Sequence, residues 1–416
     1  MKFNSLFEKE NRKKMGDLFL NIGATALFNL VIQFALYPYL NKTLGKEMYG
    51  TALFMLSLVA IASGSCGTAA NYSRLVSEKT LRPSNGDYNL FLLVGGILCA
   101  AVGLFYLWWI KLLTPITAIL FAALLIVTAF RYYSDVEFKL KTSFVRYFFF
   151  YLAISVGYLL GLLVYRKTNQ WMTALLTGEI FGLVYAAFAS RIYRHPLLRP
   201  SQSFGLVLKS ISFLLLSNLL ENLTLNADRL LLYSFVDGTA VSVYYTASLF
   251  GKVVALLTVP VNSVIISYLI RYDKELSKKM WSVFTIGGIV CGAICLGACL
   301  LFSGLILPHF YNDLYAASKP YLFPAILSQI LYFVSGVLLV VLLRFRGEKK
   351  QFFLNLGYAI VFFALTLIAT YLFGLNGFVW ASLLANALRL AVVIPWGFLP
   401  PRRKAAPPSP EETEQS

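Results

Sequence analysis

The sequence predicts an all-α polytopic membrane protein of about 12 transmembrane helices, in two parallel six-helix lobes around a central cavity. Three observations predict it. The chain has 416 residues, 58% hydrophobic and only 13% charged, which is more apolar surface than a soluble core can hide. Apolar runs of about 20 residues, long enough to cross a bilayer, recur along the whole length. The basic residues gather in alternate connections between those runs.

Spans are expected at 16–40, 48–73, 89–110, 114–134, 145–165, 170–190, 209–236, 241–270, 281–307, 318–343, 352–374 and 376–399. The first, from Met15 to Leu40, is too long for a signal-peptide core and lacks a small-residue cleavage site, so it reads as a retained helix. With the basic N-terminus inside, the inside connections carry 27 Lys and Arg against 6 outside, Arg131 being counted with the inside set. That asymmetry places both termini in the cytoplasm. The net charge of +17 is therefore a topology signal, with attraction to anionic membrane lipids, and not a footprint for nucleic acid. Trp108, Trp109 and Trp171 fall at outer span ends, and Trp281 and Trp396 at inner ones, as interfacial belts do. The lobes are expected at 1–200 and 201–400, followed by a Pro-rich, polar, disordered tail at 401–416.

The most informative stretch runs from Ser212 to Tyr245. It is a long apolar helix candidate that nevertheless carries Asn218, Glu221, Asn222, Asn226, Asp228 and Arg229. Glu221 lies roughly 22 Å from the turn at Asp237-Gly238 at 1.5 Å per residue, near the middle of the hydrocarbon. Helical spacing puts Ser217, Glu221, Leu225 and Asp228 on one side, with Asn218 and Asn222 beside them. Such a stripe either faces a watery cavity or glues neighbouring helices together.

Spans one and two resemble spans seven and eight: a polar-studded helix, a turn at Leu44-Gly45 or Asp237-Gly238, then an aromatic opening at Tyr49-Gly50 or Tyr244-Tyr245. Six spans is an even number, so the second half enters with the orientation of the first and the repeats are parallel. Span one brings its own polar stripe, Asn21, Thr25, Asn29 and Gln33, at steps of four. Ser63 to Gly67 in span two permits a close backbone approach or a break, and Pro260 in span eight a bend or ordinary packing. The intramembrane cations are Arg229, Lys252 and Arg389, facing the acids Glu179, Glu221 and Asp228, an even balance that invites pairing.

Covalent chemistry finds no footing. Cys291, Cys295 and Cys299, with Gly287, Gly288 and Gly292, read as a small-residue packing face and not a metal site, because no His or acid stands near them. His195 and His309 are loop residues far apart in sequence. No nucleotide loop, catalytic residue or cofactor site is expected. The outer acids Glu47, Asp237 and Asp313 sit in loops too short for a sugar-donor site, which disfavours a membrane-embedded enzyme of glycan assembly.

Several segments carry a family resemblance. Asn226 to Pro260 resembles the seventh-to-eighth helix signature of Wzx-type polysaccharide flippases, of the multidrug/oligosaccharidyl-lipid/polysaccharide exporter superfamily. Tyr37 to Val59 resembles their first-to-second helix segment, and Gly67 to Lys79 the end of their second helix. The loop after span four, RYYSDVEFKLK, departs by lacking a glycine-containing connector. The resemblance implies a flippase that moves a polyprenyl-pyrophosphate-linked oligosaccharide across a bacterial plasma membrane, with polysaccharide polymerase or assembly proteins as partners. It implies that Arg389 and Lys252 attract the pyrophosphate and that Arg229 pairs with Asp228 or Glu221 when the site is empty. The glycan would meet Asn21, Thr25, Asn29, Gln33, Asn218 and Asn222, and a coupling H⁺ or Na⁺ would meet Glu179, Glu221 or Asp228. A cation-coupled exporter of drugs or small molecules from the same superfamily is the alternative. A peptidoglycan-precursor flippase fits less well, since those relatives usually carry two extra spans.

Overall fold

The described residues are 16, 20–256, 258, 261, 262, 265, 269, 276–346 and 348–399, and in the computed structural model they contain helices and turns with no strand. Pro260, the basic residues before Gly16 and the tail at 401–416 lie outside them. Nine stretches among the described residues are long and apolar enough to cross a membrane. Two of these, Leu20–Glu78 and Phe353–Phe398, are each broken by one glycine at positive φ, Gly45 at 75° and Gly374 at 58°. Only glycine adopts that backbone without steric cost. Dividing both at those glycines and counting Gly238–Leu256 gives the 12 spans.

The helices are labelled in chain order. They are α1 (20–44), α2 (46–81), α3 (Asn85–Trp109), α4 (Pro115–Ser134), the short α5 (Val136–Leu140), α6 (Phe144–Thr168), α7 (Met172–Ala189) and α8 (Phe204–Leu225). There follow α9 (Ala227–Phe235), α10 (Gly238–Leu256), α11 (Lys278–Phe310), α12 (Asn312–Ser318), α13 (Leu322–Arg346), α14 (348–373) and α15 (375–398). Starts are set by short polar caps. Thr114 accepts from the Thr117 amide at 3.2 Å ahead of Pro115, and Ser277 from the Met280 amide at 3.1 Å.

Two compact units result, Met1–Leu230 and Leu231–Ser416. Helix α8, which the sequence puts at the head of a second lobe, packs with the first unit. Asn222 Nδ2 donates to Ser65 Oγ at 3.0 Å, and Ser73 Oγ to Ser210 Oγ at 3.0 Å. In the first unit α4 packs on α2, α3 and α7; in the second, α13 packs on α10, α11 and the α14–α15 pair. Each hub is thus the fourth long span of its six.

The tightest helix pair is α6 with α7, and small residues explain it. Gly157 and Gly161 on α6 face Gly178 and Gly182 on α7, a GxxxG spacing on both sides. A Cβ on Gly161 would lie 2.3 Å from the Ala174 carbonyl oxygen, and that oxygen belongs to backbone that cannot rotate away. Gly161→Ala is therefore expected to cost about 1–3 kcal/mol through overpacking. A fall in the thermal unfolding midpoint of the purified chain in detergent would show it, and an unchanged midpoint would remove the close approach from the account.

Three expectations change. Trp281, read as an interfacial belt residue, is 0% exposed and donates from Nε1 to the Ile394 carbonyl at 2.9 Å, in a slot that Gly397 leaves open. The expected helix 209–236 is interrupted at Asn226, so Ser217, Glu221 and Leu225 are exposed on α8 while Asp228 is buried on α9. Among the small residues of α11, Gly292 meets Val334 and Cys299 donates toward the Phe250 carbonyl at 3.6 Å, whereas Gly287 meets nothing and Cys291 is exposed. In span two the close approach at Ser63–Gly67 is seen and the break is not: the helix continues through a π turn at Ala60–Gly64, and Gly67 lies so close to α4 that a Cβ would meet the Ala129 oxygen at 2.3 Å.

Candidate functional site

Within the second unit, α15 carries Ser382, Asn386 and Arg389 at i, i+4 and i+7, and so aims all three at α13 and α14. Arg389 is 8% exposed, roughly 14 Å along the axis from the end of its helix at Phe398. Its guanidinium carbon lies 4.5 Å from the ring centroids of both Tyr332 on α13 and Tyr358 on α14. Nη2 donates to Asn355 Oδ1 at 3.4 Å. Nε and Nη1 are buried and meet no acceptor among the described residues, and no carboxylate there pairs with this cation.

The floor of the cage is a neutral hydrogen-bond chain. Tyr358 Oη donates to Asn386 Oδ1 at 2.9 Å, Asn386 Nδ2 to Ser328 Oγ at 2.9 Å, and Ser328 Oγ to Ser382 Oγ at 3.3 Å. This chain holds Tyr358 and brings nothing negative to the guanidinium. Arginine keeps its charge in proteins and offers five N–H donors. Two ring faces contribute about 0.5–2 kcal/mol each, less than the several kcal/mol that burying an ion costs. The arrangement can accept an anion with in-plane oxygens, and Asn355, its partner, is exposed.

Lys252 on α10 sits in an aromatic cage of its own, its Nζ 5.3 Å from the Tyr245 ring and 6.0 Å from the Tyr244 ring. Tyr244 in turn packs edge-on against Phe378 of α15, at 4.9 Å and 84°. The two second-unit cations named from the sequence thus both lie over tyrosine rings.

The first unit pairs its buried cation instead. Arg131 on α4 is 5% exposed and Glu179 on α7 is 3% exposed. Arg131 Nε donates to Glu179 Oε2 at 2.6 Å and Nη2 to Oε1 at 3.3 Å, while Tyr158 Oη on α6 donates to Oε1 at 2.6 Å. The Tyr132 ring lies 3.8 Å and the Phe28 ring 5.8 Å from the guanidinium carbon. Arg131 was counted in an inside connection. It belongs instead to the buried part of α4, because the helix runs on to Ser134 and its terminal turns stay packed. Sequence reasoning missed this pair, although the two GxxxG motifs that draw α6 and α7 together are legible and set Tyr158 beside Glu179.

The remaining predicted residues divide between helix-bonded and open positions. On α1, Thr25 Oγ1 donates to the Asn21 carbonyl at 3.2 Å and Asn29 Nδ2 to the Thr25 carbonyl at 2.8 Å, all three half-buried. Gln33 stands in a π turn, Ile32–Leu36. On α8, Asn218 and Asn222 donate to carbonyls one turn back at 2.8 and 3.1 Å, and Asn222 also reaches Ser65. Glu221, beside them on the helix, is exposed, with no ion pair among the described residues. Asp228 is buried and Arg229 half-buried. No cluster of three or more metal-ligating side chains occurs among the described residues.

No protein-family model matches the chain, and no curated protein matches it. Solved structures do. The lipid II flippase MurJ in an inward closed conformation superposes with a TM-score of 0.66 at 14% identity, over 91% of this chain and 87% of that one. An inward-facing multidrug resistance MATE family transporter of the MOP superfamily gives 0.62 at 12% identity, over 89% and 93%. The MATE transporter VcmN of Vibrio cholerae, in the bent form, gives 0.58 at 13% identity, over 95% and 98%. The chain is a multi-pass membrane protein with the fold of MOP-superfamily transporters.

Proposed function

We propose that the chain is a flippase that translocates a polyprenyl-pyrophosphate-linked oligosaccharide, such as an O-antigen, capsule or exopolysaccharide repeat unit. It does so by alternating access in a bacterial plasma membrane, with both termini in the cytoplasm, and without covalent catalysis. The observation that carries this reading is Arg389: a buried guanidinium clamped by two tyrosines, with two donors unmatched and no acid paired with it among the described residues. A diphosphate supplies the charge and the oxygens that this cage lacks. The fold is shared with a lipid II flippase as well as with multidrug resistance transporters, so it is compatible with this cargo without selecting it.

In this reading Arg389 and Lys252 receive the pyrophosphate. The glycan hydroxyls meet Arg229 and the amide and hydroxyl groups of Asn21, Thr25, Asn29, Gln33, Asn218 and Asn222. Among the acids, Asp228 is buried and Glu179 is already saturated by Arg131 and Tyr158, so the open carboxylate of Glu221 is the best placed for a coupling H⁺ or Na⁺. Assembly proteins that polymerise the flipped unit are the expected partners. A cation-coupled exporter of drugs or small molecules is the second reading, and that open carboxylate is the observation in its favour.

Reconstituted vesicles separate the two. Protein-containing vesicles are expected to expose a labelled polyprenyl-pyrophosphate oligosaccharide to an outer-face lectin faster than protein-free ones, and to leave a cationic dye gradient unchanged. Dye transport without movement of the lipid-linked sugar would transfer the chain to the exporter reading.

A further inference from the structure

The connection from α7 to α8 is built as a fixed surface feature. Between Ser190 and Ser203 it carries Arg191, Arg194 and Arg199 and no acidic residue. Its backbone is pinned by the turn that starts α3. Asn85 Nδ2 donates to the carbonyls of Arg191 at 2.9 Å and Arg194 at 3.1 Å, and Asn89 Nδ2 to that of Ile192 at 3.3 Å. The buried Asp87 carboxylate accepts from Ser84 N at 2.8 Å, Ser201 N at 2.6 Å and Ser201 Oγ at 2.7 Å. One carboxylate thereby caps α3 and ties down the far end of the connection. The Arg199 carbonyl approaches Gly86 so closely that a Cβ there would lie 2.1 Å away.

Pinning the backbone leaves a defined set of side chains outside. Ile192 is buried and Tyr193 half-buried, whereas residues 194–200 are all exposed, with Leu197 43% and Leu198 49% accessible. Two leucines therefore project between Arg194 and Arg199, on a loop joining two helices apolar enough to span a bilayer. Glu137, the nearest carboxylate held by this loop, is already engaged by the Arg191 amide and by Lys141. Leucines at the level of span ends lie at acyl-chain depth, and guanidiniums beside them lie at phosphate depth. A soluble acidic partner would match the charges and leave the leucines in water. We propose that this loop is a binding site for anionic phospholipid headgroups, which seat on Arg191, Arg194 and Arg199 while Leu197 and Leu198 enter the interface.

The test is a titration of fluorescent phosphatidylglycerol into the full chain in neutral detergent, read by anisotropy. Saturable binding is expected, displaced by unlabelled phosphatidylglycerol and not by phosphatidylcholine, and weakened by salt. Each arginine near an anionic surface contributes about fivefold, so the triple variant R191Q/R194Q/R199Q should bind at least about tenfold more weakly. Replacing the same number of exposed basic residues at the other end of the first unit, K111Q/R166Q/K167Q, should change binding less than about twofold. Equal losses in the two triples, or unchanged binding in the loop triple, would overturn the proposal. Should the loop triple fail to fold, equal displacement of the probe from the unmodified chain by phosphatidylcholine would overturn it.

Discussion

Arg389→Ala should lower transport of the lipid-linked sugar by roughly 30-fold or more while leaving the thermal midpoint unchanged or raised. Truncating one member of a desolvated, hydrogen-bonded charge pair costs about 2–5 kcal/mol of binding, and 1.4 kcal/mol is tenfold. Stability moves the other way because this cation has no acid partner to lose among the described residues. Its removal takes a buried charge out of the protein and leaves Tyr358, Asn386 and Ser328 with their own hydrogen bonds. Arg389→Lys should not restore transport, since an ammonium neither spans two ring faces 6.1 Å apart nor presents two parallel donors. Vesicle transport and the unfolding midpoint, measured on the same preparations, test this. Transport at the wild-type rate in Arg389→Ala would remove the residue from the site, and a large fall in midpoint would make its role structural.

Arg131 is the same residue type with the opposite expectation. Glu179→Gln leaves a guanidinium buried with no counter-charge and should destabilise the chain by about 3–5 kcal/mol. Replacing both members, as in Arg131→Met with Glu179→Leu, should recover most of that loss, because the penalty lies in the orphaned ion and not in the missing attraction. Tyr158→Phe should cost about 1.5–3 kcal/mol, the usual range for a hydrogen bond to a charged group. Thermal midpoints of these variants, with the single replacements Arg131→Met and Glu179→Leu added, close a double-mutant cycle on the pair. If Glu179→Gln and the double replacement fall equally, the two side chains do not act as a pair.

The contrast explains what the sequence made legible. Hydropathy locates every long span, since a helix in hydrocarbon must satisfy its own backbone groups and therefore shows itself as an unbroken apolar run. The turn at Gly45 could be placed because a tight reversal between spans needs a permissive residue. A helical stripe, however, reveals which residues share a face and not what that face meets. Asn218 and Asn222 carry the same polar signal as Glu221, yet Asn222 reaches Ser65 on α2, Asn218 is buried with its amide on the Leu214 carbonyl, and the carboxylate is exposed.

Position near a span end misleads for a related reason. Arg131 and Trp281 both stand within a turn or so of a boundary, where charge and aromatic rules assign residues to the interface. Packing overrides the rule at both. Tyr158 and Glu179 draw Arg131 inward, and the space at Gly397 admits the Trp281 ring. Arg389 was legible as an intramembrane cation, but its isolation from acids was not. Only the fold shows that α13 and α14 offer it tyrosines where α6 and α7 offer Arg131 a carboxylate.

The cage at Arg389 can be interrogated without reference to transport rate. Solid-state NMR on the full chain, with guanidinium nitrogens labelled and a polyprenyl-pyrophosphate lipid bound, reads the nitrogen–phosphorus dipolar coupling directly. A charge-assisted N–H···O contact puts the two nuclei about 4 Å apart, so a strong coupling is expected, and it should vanish in Arg389→Lys while the other arginine signals persist. No coupling at saturating lipid, or a coupling that survives the substitution, would contradict the assignment of this buried guanidinium as the anchor for the phosphate.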